Sequence, residues 1–407
     1  MKKDVLILSQ FFYPEYITSA TLPYETAVDL SKHGLSVDVL CGYPKNYNTE
    51  KDIPSKETVK NVNITRINYP NFNKNTFLGR LLNYFAFTVS MLLNIMRLKN
   101  YKVIIVYSTP PVLPLVPGLA SMFFHTKMIF VSYDIYPEVA IRMNAVEESS
   151  IISKIMKKIN NLVFKQTSKV VALSSEMKSF ILNNRNIASE DIAVIPNWAN
   201  DVILKQKSEV KNTLFDGLDY MNKTIISYFG NMGTAQDMAT ILNAIRSVKE
   251  NKNIHFLFAG HGNKMDELRK SVYDEELKNV TIYDYLHGED YTDAQSISDG
   301  FIVSLEEGLD GLCVPSKTYS YMSAGRPIIS IMNPECDISR DLVYHNAGFA
   351  VLNGDNENMV KSILSLTNKE LVDTMSSNCK KLFTDKFTRE IATSAYADLV
   401  YLTMEEN

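Results

Sequence analysis

At 407 residues the chain is about two to three times the size of a typical single domain, so two domains are expected, and a hydrophobic share of 45% is ample for two cores. Lysine and arginine (42) nearly balance aspartate and glutamate (46), leaving a net charge of −4, so nothing in the balance suggests a polybasic nucleic-acid binder and no nucleic-acid partner is expected. Four scattered cysteines, Cys41, Cys313, Cys336 and Cys379, form no CxxC pair, which excludes a disulfide framework or a thiolate metal site and suits a reducing compartment.

In chain order, Asp4 to Ser9, Ser36 to Cys41, Lys102 to Tyr107, Lys127 to Ser132 and Lys169 to Leu173 are Val/Leu/Ile-rich runs bounded by turn residues, the pattern of buried parallel strands. The first run is too short for the apolar region of a signal peptide and reads as a buried strand. Helical periods lie between the runs, at Leu22 to Lys32, closed by His33-Gly34, and at Ile151 to Thr167, with lysines on its outer face. After Pro196-Asn197-Trp198 comes a polar, unperiodic run, Asp201 to Asn222, and then the pattern restarts. Strands are expected at Thr224 to Phe229, His255 to Ala259, Val280 to Tyr283, Gly300 to Leu305 and Pro327 to Ile331. Helices are expected at Met238 to Asn251, Lys264 to Tyr273 and Lys317 to Ala324. The alternation predicts an α/β protein of two doubly wound, Rossmann-like domains, 1–200 and 201–385, facing across a cleft, with a C-terminal helix at 386–407 returning to the first.

Charge is unevenly spread. Residues 58–133 contain no Asp or Glu but hold Lys60, Arg66, Lys74, Arg80, Arg97, Lys99, Lys102 and Lys127 around an apolar, aromatic centre, Phe77 to Leu93. Such a composition suits an anionic membrane surface; a buried helix and a spanning helix are the alternatives, the latter disfavoured by Asn83, Ser90 and Asn94 and by the short interval between Arg80 and Arg97.

Three motifs can carry chemistry. Gly230-Asn231-Met232-Gly233-Thr234-Ala235-Gln236 joins a strand to a helix, where Gly230 and Gly233 let the backbone approach a phosphate and the following helix N-terminus offers N–H groups. Gly230, Asn231, Gly233 and Gln236 are therefore candidate donor-binding residues; a plain βα turn is the alternative. Gly311-Leu312-Cys313-Val314-Pro315-Ser316-Lys317 leads into a helix whose first turn suits Pro315 and Ser316. A lysine at that end opposes the helix dipole, an objection that a bound anion removes, so Lys317 is the candidate diphosphate ligand, with Gly311, Pro315 and Ser316 beside it. Asp134-Ile135-Tyr136-Pro137-Glu138 follows a strand, and Asp134 and Glu138 are candidate catalytic carboxylates that would orient or deprotonate an acceptor hydroxyl, or else cap a helix. A further loop, Ser9 to Glu15, follows the first strand. There is no DxD, Walker A, GxSxG or HExxH, and the six histidines are dispersed; no metal and no cofactor are expected.

Taken together, Phe12-Tyr13-Pro14-Glu15, Asp134 to Glu138, Ile195-Pro196-Asn197-Trp198, Gly230 to Gln236, Pro315-Ser316-Lys317 and Ala324-Gly325-Arg326-Pro327 resemble, in order and across nearly the whole chain, the family 4 glycosyltransferases. The nearest resemblance is to the branch with bacterial O-antigen and capsule N-acetyl-fucosaminyltransferases. It implies the GT-B fold, retention of anomeric configuration, and binding of the donor nucleotide by the second domain and of the acceptor by the first. The family's sugar-contacting glutamate is matched by Glu306 or Glu307, of which Glu307 is carried in the candidate set. The chain departs from the wider family at Ser320, where a ribose-binding glutamate is usual, and in the Gly230–Gln236 loop, which lacks the usual Arg and Lys.

The expected function is sugar transfer from a UDP- or dTDP-sugar to a polyprenyl-diphosphate-linked glycan in surface polysaccharide synthesis, with the protein cytoplasmic and peripheral on the inner face of the plasma membrane. A nucleotide-sugar epimerase of the same fold and a non-catalytic scaffold are the alternatives; the first would need no membrane face, and the second would bind no nucleotide.

Overall fold

The apolar runs become the central strands of two sheets. In a computed structural model, which describes residues 2–44, 52–73 and 76–406 apart from the side chains at 77 and 80, the chain divides into two compact units. The first comprises Met1–Asn197, Gly311–Val314 and Arg389–Asn407, and the second Trp198–Asp310 and Pro315–Thr388.

The first unit runs β1 (Lys3–Ser9), α1 (Thr18–Lys32), β2 (Val37–Gly42), β3 (Lys56–Val59), β4 (Val62–Ile67), α2 (Phe77–Leu92), β5 (Tyr101–Tyr107), α3 (Leu115–Phe124), β6 (Lys127–Ser132), α4 (Glu138–Arg142), α5 (Ile151–Gln166), β7 (Lys169–Ala172), α6 (Ser175–Asn184) and β8 (Ile192–Val194). Its strand order is β3-β4-β2-β1-β5-β6-β7-β8, parallel throughout except for the β3–β4 hairpin. Val5, Leu6, Ile7 and Leu8 of β1 are all buried, as a strand covered on both faces requires. Each such side chain contributes roughly 1.5–3 kcal/mol on burial.

The second unit runs β9 (Thr224–Asn231), α7 (Met238–Ser247), β10 (Ile254–His261), α8 (Asn263–Asp274), β11 (Val280–Tyr283), α9 (Gly288–Ile297), β12 (Gly300–Ser304), α10 (Lys317–Ser323), β13 (Ile328–Ile331), α11 (Asp337–Tyr344), β14 (Gly348–Val351), α12 (Asn356–Ser365) and α13 (Lys369–Lys386). Its six strands are all parallel, in the order β11-β10-β9-β12-β13-β14. The polar run 201–222 is not a free linker: it forms two short 3-10 turns, the second of which buries Phe215 and Leu218.

The final helix, α14 (Arg389–Glu405), returns to the first unit and packs on α1. Arg389 pairs with Asp29 (2.6 Å) and Glu25 (3.2 Å), Tyr401 donates to the His33 carbonyl (2.6 Å), and Glu406 just beyond the helix pairs with Lys169 (2.6 Å). The division departs from the expected 1–200, 201–385 and 386–407 in that Gly311–Val314 groups with the first unit. The Leu312 carbonyl accepts from the Ile135 N–H (2.8 Å), and Cys313 bridges to Asp134.

Strand order reverses beside β1 and β5 in the first sheet and beside β9 and β12 in the second. In open α/β sheets the carboxyl ends of strands at such reversals form the crevice that takes ligands. The loops after β9 and β12 therefore stand at the reversal of the second unit, and Asp134, after β6, stands one strand from that of the first.

Candidate functional site

The loop after β9 is a tight cradle. Gly230 has φ +108°, and a Cβ there would lie 2.9 Å from Lys317 Cε, so glycine lets the lysine stem cross the strand end. The Met232 N–H donates to the His261 carbonyl (2.7 Å), and the Gly233 N–H to Gln236 Oε1 (2.7 Å). Gln236 thus serves the loop's own turn. Among the described residues, the Thr234 and Ala235 N–H groups find no acceptor, which leaves two donors between Gly233 and Gln236 for a ligand oxygen. The expectation that the helix N-terminus itself would offer free N–H groups needs correction. Asp237 caps α7, accepting from the Thr240 N–H (3.0 Å) and hydroxyl (2.5 Å), so that end already carries a carboxylate.

Lys317, the first residue of α10, reaches back over this cradle. Its Nζ donates to the Asn231 carbonyl (2.8 Å) and to the Tyr228 hydroxyl (3.4 Å), and lies 5.1 Å from the centre of the Tyr228 ring. Among the described residues no carboxylate lies within 4.0 Å of it. The residue is half-buried, and burial pushes its pKa down to about 8. A desolvated cation held by carbonyl and ring dipoles, without an anion, is electrostatically unfinished.

Pro315 and Ser316 lead into α10 as the sequence suggests, with the Pro315 carbonyl accepting from the Thr318 N–H (3.2 Å), although Ser316 makes no side-chain cap. Ser320 bonds back to the Lys317 carbonyl (3.0 Å). Gly311 groups with the first unit, where it has φ +72° and a Cβ would lie 2.9 Å from the Glu176 carbonyl oxygen. The two glutamates after β12 separate clearly. Glu306 is tied down, its N–H on the Ala235 carbonyl (2.8 Å) and its carboxylate on Lys264 (2.8 Å). Glu307 is exposed and has no ion pair among the described residues.

Lys264 was not apparent from the sequence. It sits in the first turn of α8, and its Nζ also donates to the Gln236 carbonyl (2.6 Å). A partner 28 residues away has no local signature. Asp237 did have one, since an Asp three residues before Thr240 at the start of an apolar helix is a cap pattern.

In the first unit, Asp134 follows β6. Its N–H and that of Tyr133 donate to the Ser108 hydroxyl (3.1 and 3.0 Å). Burial pushes its carboxyl up to about 6, and among the described residues it has no ion pair. A cavity of about 10 Å³ beside it is lined by Ser108, Phe130, Asn160, Phe164 and Arg185. Glu138, by contrast, is engaged: it opens α4 and accepts from Arg185 Nη2 (2.7 Å). The geometry therefore favours Asp134 over Glu138 as a group available for proton work. In the Ser9–Glu15 loop, Glu15 accepts from the Phe12 N–H (3.3 Å), and buried Arg66 donates to the Tyr13 carbonyl (2.8 Å), so both shape the loop.

The acid-free stretch 58–133 is not one surface. Arg66 is internal and paired with Glu57, and Lys102 is paired with Asp4 (2.7 Å); Lys74 and the Arg80 side chain lie outside the described residues. What it does expose is the outer face of α2 and the turn after it. Leu78, Leu82, Phe85, Val89, Leu92 and Leu93 face outward, with Leu93 82% exposed, while Asn83, Phe87 and Met91 face inward. Arg97 and Lys99 follow, both exposed. Next to it, α3 packs against both α2 and α5, and α5 exposes Ile151, Ile152 and Ile155 together with Lys154 and Lys158. Among the described residues no helix is long and apolar enough to cross a membrane.

The sequence matches two family descriptions: Glycosyltransferase Family 4 over residues 20–201 and Glycosyl transferases group 1 over residues 223–369. It is 26% identical over 276 residues to a probable glycosyltransferase, WbjE, of Pseudomonas aeruginosa, covering 67% of this chain and 68% of that protein. It is 20% identical over 254 residues to the putative colanic acid biosynthesis glycosyl transferase WcaI of Escherichia coli K12, covering 61% and 62%. Among solved structures it resembles sucrose-phosphate synthase from Thermosynechococcus elongatus (TM-score 0.75, 13% identity, 98% of this chain and 99% of that one). It also resembles Anabaena HepE in complex with UDP-glucose (TM-score 0.69, 14% identity, 98% and 100%).

Proposed function

This chain belongs to the family 4 glycosyltransferases and has their GT-B fold, and from that premise we propose that it moves a sugar from a UDP- or dTDP-sugar to a polyprenyl-diphosphate-linked glycan during bacterial surface polysaccharide synthesis. The observation that carries the donor half is Lys317, a half-buried lysine with no carboxylate on it among the described residues, poised over a glycine cradle in which two N–H groups likewise find no acceptor. As the bond from the sugar to the diphosphate oxygen breaks, negative charge grows on that oxygen. Lys317 and the Thr234 and Ala235 N–H groups would stabilise it. In this reading the second unit holds the nucleotide and exposed Glu307 meets the sugar. The first unit holds the acceptor, whose hydroxyl Asp134 orients or deprotonates. Retention of configuration is the family expectation. The names of the two relatives support the polysaccharide setting, and the UDP-glucose in HepE supports the donor class. The test is thermal stabilisation across a panel of nucleotides and nucleotide sugars: a nucleoside diphosphate at 100 times its Kd should raise stability by about 2.7 kcal/mol. No response to any of them would end the donor reading.

Without a DxD, the donor diphosphate relies on protein cations, so turnover should survive EDTA. Loss of activity on chelation, restored by manganese or magnesium, would overturn metal independence.

A lipid-linked acceptor needs the enzyme at a membrane, and the apolar face of α2 with Arg97 and Lys99 suits one. Each basic residue near an anionic surface adds on the order of 1 kcal/mol, and that part weakens with salt, whereas burial of Phe85 or Leu93 does not. The protein should float with anionic vesicles, less but still measurably at high salt. Phe85→Glu with Arg97→Glu should release it without lowering its melting temperature. Failure to float with either anionic or neutral vesicles would remove the membrane part of the proposal.

A further inference from the structure

We infer that Lys264 is the second cation of the donor site, and that it exchanges Glu306 for a diphosphate oxygen when the nucleotide binds. The inference rests on the donor reading and concerns how one loop without a cation holds a group with more than one negative charge. Residues 230–236 contain no lysine or arginine, and Lys317 supplies a single charge at the start of the loop, on the Asn231 carbonyl. At the other end Lys264 Nζ lies 2.6 Å from the Gln236 carbonyl. The two ammonium groups thus bond the carbonyls of Asn231 and Gln236, and in the sequence between those two residues lie the Thr234 and Ala235 N–H groups, without an acceptor among the described residues. Cations at both ends of a short run of free N–H groups fit two linked phosphates better than one.

Lys264 is placed there by backbone, not by its own flexible stem. Its N–H donates to the Met232 carbonyl (3.0 Å). Two residues earlier, Gly262 has φ +127°, and a Cβ there would stand 2.3 Å from that same carbonyl oxygen. The start of α8 therefore lies directly on the loop, and only glycine permits it.

Glu306 is suited to be displaced. Its side chain is 45% exposed and that of Lys264 20%, so their pair is half in water, where ion pairs are weakly held. A diphosphate brings more charge to Lys264 than one carboxylate does. The Glu306 backbone stays fixed through its N–H on the Ala235 carbonyl, so the released carboxylate remains beside the loop and next to Glu307, free to accept from a sugar hydroxyl.

The experiment is calorimetric titration of the full chain with UDP, dTDP and UMP, for the native protein, Lys264→Met, Lys264→Arg and Glu306→Gln. Lys264→Met should weaken binding of the diphosphate by about tenfold or more and that of UMP much less; Lys264→Arg should restore most of the loss. Glu306→Gln removes the competitor and should leave diphosphate affinity equal or higher. If Lys264 and Glu306 were only a clamp on the loop, the two neutral variants would lose affinity alike, for UMP as well as UDP, and that result overturns the inference. Native-like affinity in Lys264→Met overturns it as well while leaving the donor reading intact. Absence of binding by the native protein to any of the three would defeat the donor reading first and the inference with it.

Discussion

Asp134→Asn should cut turnover by about two to four orders of magnitude and, at pH 7, raise the melting temperature. Both effects follow from one environment. Burial holds the carboxyl up at about 6, with no cation among the described residues to offset it. Below the unfolded value of 3.8 the group is protonated folded or unfolded and contributes nothing. Between 3.8 and about 6 the unfolded carboxyl ionises in water while the folded one stays protonated, so stability falls across that window and stays lower at neutral pH. The neutral amide removes that cost, on the order of 1–3 kcal/mol at pH 7 and little at pH 4. The acid limb of kcat/KM near pH 6 should vanish with it. A helix-capping carboxylate predicts the reverse: a lower melting temperature and near-normal specific activity. That pattern would remove Asp134 from the chemistry.

Lys317→Met should weaken binding of UDP or dTDP by about 1.5–3 kcal/mol, the range for hydrogen bonds to charged groups. Methionine keeps the stem that packs across Gly230 and deletes only the ammonium. Because burial lowers this lysine to about 8, an anion bound beside it must raise that value again. Nucleotide binding should therefore take up a proton near pH 8 and lose affinity as pH rises further, and the methionine variant should show neither. Calorimetry in buffers of different ionisation enthalpy reads the proton directly. Unchanged affinity in the variant would withdraw Lys317 from the donor site.

Much of this was readable in the sequence where a single local pattern decides the outcome. Strands such as Val5 to Leu8 and Val103 to Tyr107 are uninterrupted apolar runs, and a strand covered on both faces leaves no other solution. Lys317 stood out because its sign opposes the dipole at its place in α10. What could not be read depends on pairing at a distance. The contact of Lys264 with Glu306 spans 42 residues and joins the ends of different strands, which no window contains. Glu138 and Asp134 are equivalent in the local sequence; what separates them is Arg185, 47 residues on, which donates to Glu138. Counting charges along 58–133 misjudged Arg66, although its alternation with Val62 and Ile64 in β4 already turns it inward. Strand period outranks composition in deciding which charges reach the surface.

The return of α14 has a consequence for how the protein is made. Asp29 and Arg389 are 360 positions apart, so the guanidinium that joins Lys32 on Asp29 arrives only when nearly all of these residues have left the ribosome. At a synthesis rate of about 5–20 residues per second, that is an interval of roughly 20–70 seconds. When that interval ends the second unit has nearly all its own strands and helices, while the face of α1 that α14 covers has stayed open throughout. The unit begun first is thus completed last, and the nascent chain carries an exposed apolar seam on α1 for chaperones to guard.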